Sequence, residues 1–223
     1  MGDKIYTFGV SGDLYDSNLL MYDRNTRSEW LQITGQALEG PLRGTKLHAY
    51  PVAYDTWDHW KANHPNGEVL SIHNGFEQRF GNYEISPYAG YDYVPDLLFV
   101  VNHDNKLLPR KTRVVGVEIH GVDKAYIEDN LWKQGLVEDR IGDETIVIIA
   151  DRESSRIGAF ASPRHAFGLK GSQVYDESGR RWVWTGYELS LGQEHLRSLD
   201  LISTYWFAWA AIHPRTELFG ASP

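Results

Sequence analysis

Residues 57–69 read WDHWKANHPNGEV, and residues 206–218 read WFAWAAIHPRTEL. Each stretch has a Trp, a second Trp three positions on, a His four beyond that, then Pro, and a Glu three past the Pro. The matched pairs are Trp57/Trp206, Trp60/Trp209, His64/His213, Pro65/Pro214 and Glu68/Glu217. Shared spacing over so many uncommon residues reads as an internal duplication. Trp57, Trp60 and His64 stand at i, i+3 and i+7, which places them on one face of a helix. Asp55 or Thr56 caps the start of that helix, and Asp58 sits in its first turn, where a carboxylate faces the exposed N–H groups. Pro65 and Gly67 end it. Residues 68–71, Glu-Val-Leu-Ser, then read as a strand. The second copy, YWFAWAAIH, is apolar nearly all round and reads as a helix buried between two lobes. At this spacing the Trp pairs read as core.

The correspondence extends upstream. Phe8-Gly9-x-x-Gly12 matches Phe167-Gly168-x-x-Gly171, Tyr22-Asp23 matches Tyr175-Asp176, Trp30 matches Trp182, and Thr34-Gly35 matches Thr185-Gly186. Two units of like design follow, about 8–71 and about 167–220. The division is 1–72 for the first repeat unit, 73–112 for a connecting region and 113–223 for the second unit, all packed as one compact domain. The units are asymmetric, since strand-like sequence over 113–163 precedes the second copy and nothing comparable precedes the first. KIYTFGV, GTKLHAYPVAY, DLLFVV, TRVVGVEIHG, DKAYIE, ETIVIIAD and RIGAFAS are short β-branched or aromatic runs bounded by turn formers, and they read as strands. GVEIHGVDKAYI reads as a hairpin turning at His120-Gly121-Val122-Asp123. ETIVIIAD is almost continuously apolar, as a central strand buried on both faces is. Residues 73–95 are rich in Gly, Asn, Pro and Tyr and read as a long ordered loop. The expected fold class is α+β, rich in β: two pseudo-repeated lobes of antiparallel or mixed strands, each ending in a short Trp-bearing helix.

Composition narrows the chemistry. The chain has 223 residues and a formal net charge of -8, with no concentrated basic run, so a nucleic-acid partner is not expected. It has no cysteine, which excludes disulfides, thiolate nucleophiles, iron–sulfur clusters and Cys-ligated zinc. No stretch approaches the ~20 apolar residues of a membrane span. The start, MGDKIYTFGV, lacks a charged-then-apolar signal pattern. A cytoplasmic location is expected if Met1 is the native start, and an exported one if an upstream segment was removed.

At FGVSGDLYDSNLLMYDR (8–24), GPLRGTKL, TWDHWKANHPNGEVLS, VVGVEI and WFAWAAIHPRTEL, the sequence resembles the bacterial and archaeal family known as domain of unknown function 3179. The resemblance covers nearly the whole chain and is most specific over Phe8–Arg24. Family members carry an upstream Asn-Trp-His-Glu stretch and a Tyr-Cys-Pro-x-Cys motif, and this sequence starts after both. The corresponding region of the second unit, 131–160, holds no cysteine. No metal or redox role of those cysteines carries over, and the resemblance implies no activity.

The segment Ser11–Arg24 is dense in hydrogen-bonding groups, and the second unit shortens it to KGSQVYDE. Ser11, Tyr15, Asp16, Ser17, Asn18, Asp23 and Arg24 are the candidate ligand-binding residues. They offer donors and acceptors, and Arg24 an anion clamp. The competing reading is that these Ser, Asp and Asn side chains satisfy backbone groups in turns. No catalytic residue is identified. GxSxG, GxxxxGK[ST], HExxH and HxH do not occur, and no carboxylate pair stands in an apolar setting. His59 and His64 are five apart, not on one helical face. His64 and His213 fall at helix ends before Pro, a setting that suits a structural role. No metal and no cofactor are expected. The function reading is a ligand-binding or accessory and assembly module, with a small molecule or a protein as partner. The alternative is an enzyme of unknown class with a polar pocket between the lobes around Ser11–Arg24. Oligomeric state is not legible.

Overall fold

The computed structural model describes residues 4–50, 56–73, 75, 86 and 88–221. The chain opens with an antiparallel meander of four strands: β1 (Phe8–Tyr15), β2 (Asn18–Asp23), β3 (Glu29–Leu31) and β4 (Gln36–Glu39). Leu20, Trp30, Leu31 and Ala37 are its buried apolar residues. Helix α1 (Trp57–Asn63) follows, capped by the Thr56 hydroxyl, which accepts the His59 N–H as the sequence suggested. Asp55, the other candidate cap, lies outside the described residues.

Thirteen further strands are built from residue 113 onward. β5 (Arg113–Ile119) and β6 (Val122–Ile127) form a hairpin in which Ile119 pairs Val122. Its turn is tighter than the four residues expected. His120 and Gly121 alone make it, at φ 50° and 81°, the left-handed pair of a two-residue hairpin loop. Helix α2 (Glu128–Gln134) comes next, then β7 (Leu136–Ile141), β8 (Glu144–Asp151) and β9 (Arg156–Ala161). A second meander runs through β10 (Phe167–Lys170), β11 (Gln173–Asp176), β12 (Arg181–Trp184), β13 (Leu189–Leu191) and β14 (Glu194–His195). β15 (Ser198–Leu199), β16 (Leu201–Tyr205), helix α3 (Trp206–Ile212) and β17 (Glu217–Leu218) complete the chain. The remaining sheets have the orders β15-β9-β8-β7 and β16-β5-β6-β17, the last pair parallel and every other pair antiparallel. The fold is therefore α+β and β-rich.

The period-two alternation of strands sorts side chains into layers. From β5, Val115, Val117 and Ile119 join Ile146, Ile148 and Ala150 of β8, Ala159 of β9 and Leu131 of α2 in the central core. The opposite face of β5 gives Val114, which packs with Ala125, Trp206, Trp209 and Ala210. The opposite face of β8 gives Val147 and Ile149, which pack with Phe160 of β9 and with Phe167, Val174, Trp182 and Leu189 of the second meander. So β8 is buried on both faces, as its unbroken apolar run implied. Each such aliphatic side chain contributes ~1.5–3 kcal/mol when removed from water.

Two expected strands, 68–71 and 96–101, form no ladder among the described residues. Of the expected strand 44–54, the described part makes one bridge, between Gln36 and Lys46, and residues 51–54 lie outside the described residues. A strand is defined by its partner, and these runs find none among the described residues; Leu70 and Val100 are 83% and 84% exposed. Helix α2 escaped the sequence reading because its seven residues, EDNLWKQ, bury only Leu131 and carry no side-chain N-cap. Gly135 ends it at φ 73°, with its N–H on the Leu131 carbonyl at 2.8 Å. Most of the expected loop 73–95 lies outside the described residues.

Candidate functional site

The seven candidate residues of the first meander are bonded mainly to the chain itself. Between Val10 and Leu14 the β1–β2 register slips, and Ser11 holds this bulge: its hydroxyl donates to the Leu20 carbonyl at 2.7 Å and accepts the Asp13 N–H. Asp16 and Ser17 form the two-residue β1–β2 turn, with φ of 46° and 61°. The buried Asp16 carboxylate accepts the Asn102 N–H at 2.5 Å. The Ser17 hydroxyl reaches the carbonyls of Phe99 and Val100. Asn18 Nδ2 donates to the Asp16 carbonyl and to the carbonyl of Ala208 in α3. Arg24 donates to the Phe8 carbonyl, and Tyr15 is about half exposed at the surface. Asp16, Ser17 and Asn18 are thus brought together as a clamp on residues 99–102 and on α3. Ser11, Asp23 and Arg24 serve the meander.

Asp23 and Asp176 have matching surroundings. Asp23 accepts the Thr26 N–H and hydroxyl and, at 3.1 Å, the Trp30 indole N–H. Asp176 accepts the N–H groups of Ser178 and Arg180, the Arg180 guanidinium and, at 3.0 Å, the Trp182 indole N–H. Burial alone would push both carboxyls up. The bonds from Thr26 and Trp30 outweigh it at Asp23, whose pKa is lowered. Those from Trp182 and Arg180 do the same at Asp176, which falls to about 2. Phe8 meets Trp30 edge-on at 5.7 Å, and Phe167 meets Trp182 edge-on at 5.2 Å. Phe8 also pairs Asp23 across the ladder as Phe167 pairs Asp176.

The two Trp-bearing helices differ in setting. Both begin after an extended residue and end on a His whose N–H returns to the second Trp, and in both that His stacks on that Trp. In α1, however, Trp57 is 54% exposed and Trp60 half-buried, so this pair is not core. In α3, Trp206 and Trp209 have no exposure at all. Gly116 makes room for Trp209: a Cβ there would lie 2.3 Å from the indole ring.

Beside α3 lies a cavity of about 350 Å³. One wall is the stretch around the β3–β4 turn and the segment after β4, including Gln32, Ile33, Thr34, Lys46, Leu47 and His48. The other comprises Gly116 and Glu118 of β5, Asp200 to Ile202 leading into β16, and Trp209 and His213. Lys46 pairs with Glu118 across it at 3.0 Å. His213 is nine-tenths buried, stacked 3.9 Å from Trp209, with Nδ1 3.1 Å from Asp123 Oδ1. Its Nε2 is buried and has no hydrogen-bond partner among the described residues. Buried polar atoms are satisfied in the great majority of cases, so an orphan here calls for an explanation. The corresponding turn of the second meander, Thr185-Gly186, instead closes on β9: a Cβ on Gly158 would stand 2.4 Å from the Gly186 carbonyl oxygen.

None of the seven candidates from the first meander lines this cavity. The residues that do include Thr34, Gly35 and His213, all members of repeated pairs. Repetition was their signal in the sequence. The apolar run YWFAWAAIH marked His213 as the buried member of its pair, and His64 is exposed.

A family model described as "Protein of unknown function (DUF3179)" matches residues 1–216. The chain belongs to that family. The match takes in the first meander, both Trp-bearing helices and both walls of the cavity. No curated protein matches the chain, and no solved structure does. Among the described residues, no helix is long and apolar enough to cross a membrane.

Proposed function

We propose that this DUF3179 protein is a ligand-binding module, and that its site is the cavity between the first meander and the β5–β16–α3 face. The observation that carries the reading is the cavity itself, about 350 Å³, walled on one side by the β3–β4 turn and the segment after β4 and on the other by β5, β16 and α3. A pocket of this size and mixed apolar and polar lining fits a small molecule. The matched Asp–Trp bonds and ladder registers support reading the chain as two units of one design, with the site kept where the first turn stands open. On this reading the Ser11–Arg24 segment holds the walls in place rather than touching the ligand.

The test is ligand-observed NMR on the whole chain with a panel of neutral, cationic and anionic fragments, beside Leu47→Trp, which fills the cavity. The expected result is binding that shifts the His213 ring resonances and is lost in Leu47→Trp. Fragments that bind both proteins alike, or none that bind, would overturn it.

A further inference from the structure

We propose that the Trp57 face of α1 is an interface, and that its occupant is a second molecule of this chain, packed helix against helix about a two-fold axis. The internal repeat shows what has changed on α1. Where α3 carries Phe207, Ala208 and Ala210, α1 carries Asp58, His59 and Lys61, residues that suit water. The two Trp are kept, yet Trp57 is exposed where Trp206 is buried. A lone exposed apolar side chain needs no explanation, but this one has company. Gly67 lies against the Trp60 ring, where a Cβ would stand 2.5 Å from it, so the chain leaves the helix across the Trp face. Val69, Leu70 and Ile72 follow, all exposed. Large apolar groups gathered in this way mark association surfaces.

Charge names the occupant. Asp58 stands in the first turn of α1 and Lys61 in the last, and neither makes an ion pair among the described residues. Three positions apart, they lie on one flank of the helix. An antiparallel pair of α1 helices, related by a two-fold axis across them, sets the first turn of one against the last turn of the other. Asp58 of each molecule then faces Lys61 of the other, and the contact is made twice. A patch that complements itself in this way is what a two-fold interface requires. The whole chain carries a formal charge of -8, which holds molecules apart. On α1 the charges of Asp58 and Lys61 cancel, so two molecules can approach there. Trp57 and Trp60, stacked with ring centroids 5.3 Å apart, are aromatic anchors of the kind that dominates binding energy.

Sedimentation equilibrium of the full chain tests this. The wild type is expected to show a reversible monomer–dimer equilibrium. Trp57→Ala, at an exposed position that the fold does not need, is expected to weaken it at least about tenfold. Asp58→Lys makes both positions positive and Lys61→Asp makes both negative, so each variant alone should associate about threefold or more weakly than the wild type. Mixed in equal amounts, the two variants oppose unlike charges at both contacts, and association is expected to return to within about twofold of the wild type. A chain that stays monomeric up to about 0.5 mM overturns the proposal and leaves the face to a different partner. A dimer that Trp57→Ala leaves unchanged overturns it too, because the contact then lies elsewhere. A mixture no stronger than either variant alone overturns the two-fold pairing of Asp58 with Lys61, and the proposal with it.

Discussion

Asp176 has a side chain with no solvent exposure, yet it is held as a carboxylate by an indole, two backbone N–H groups and a guanidinium. Its pKa of about 2 lies below the ordinary ~3.9, so the charged form favours folding. That contribution is complete above the ordinary value and is lost as the pH falls toward about 2. Asp104, held at about 2 by Arg110 and Lys106, acts in the same window. Melts of Asp176→Asn between about pH 5 and pH 2 should therefore show a shallower loss of Tm than the wild type, though not a flat one. His165 works in the opposite direction. Its bond to Glu194, against burial and with help from Glu177, raises its pKa. Its stabilisation is present below the ordinary ~6.5 and disappears as the pH climbs through the higher folded value. From about pH 6 to pH 8, the wild type should lose Tm relative to His165→Gln. An equal slope in the two proteins would remove the Glu194 bond from the account. In the sequence, the pairs Asp23/Asp176 and Trp30/Trp182 were visible as repeats. The bond joining each Asp to its Trp was not, because a turn of six or seven residues brings them together only once the meander has formed.

At the scale of elements, one sequence motif yields two helices with different energetics. Trp209→Ala removes a fully buried indole and should cost about 3–5 kcal/mol in urea unfolding. Trp57→Ala, at an exposed position, should stay within about 0.5 kcal/mol. Gly116→Ala places a methyl into the Trp209 ring and should cost about 1–3 kcal/mol by overpacking. A near-neutral Gly116→Ala would mean that α3 can shift off β5. Periodicity made both helices legible, and the apolar run of β8 made its double burial legible. It could not separate β8 from residues 96–101, because an isolated apolar run says nothing about whether a neighbouring strand is there to pair with it. Helix α2 was hidden for the converse reason, as one buried Leu in seven residues leaves no periodic trace.

At the scale of the molecule, the first meander is fastened by the β1–β2 turn. Asp16 grips Asn102, Ser17 the carbonyls of Phe99 and Val100, and Asn18 that of Ala208. Asp16→Ala removes the buried carboxylate that accepts the Asn102 N–H and should cost about 1–3 kcal/mol, as loss of a hydrogen bond to a charged group does. Hydrogen exchange should quicken in β1–β4 more than in β7–β9, where the ladder has its own core. Uniform quickening would show that the meander and the central sheets open as one unit. The polar density of Ser11–Arg24 was thus legible, but its destination was not, since its partners lie far along the chain. Asn18 waits for a carbonyl 190 residues downstream. On the ribosome, at typical rates of synthesis, that wait lasts roughly 10–40 s. For the first part of it the turn's other partners, residues 99–102, are not yet made either, and for the rest they alone are at hand. The first meander is therefore made well before α3, the element that completes its fastening.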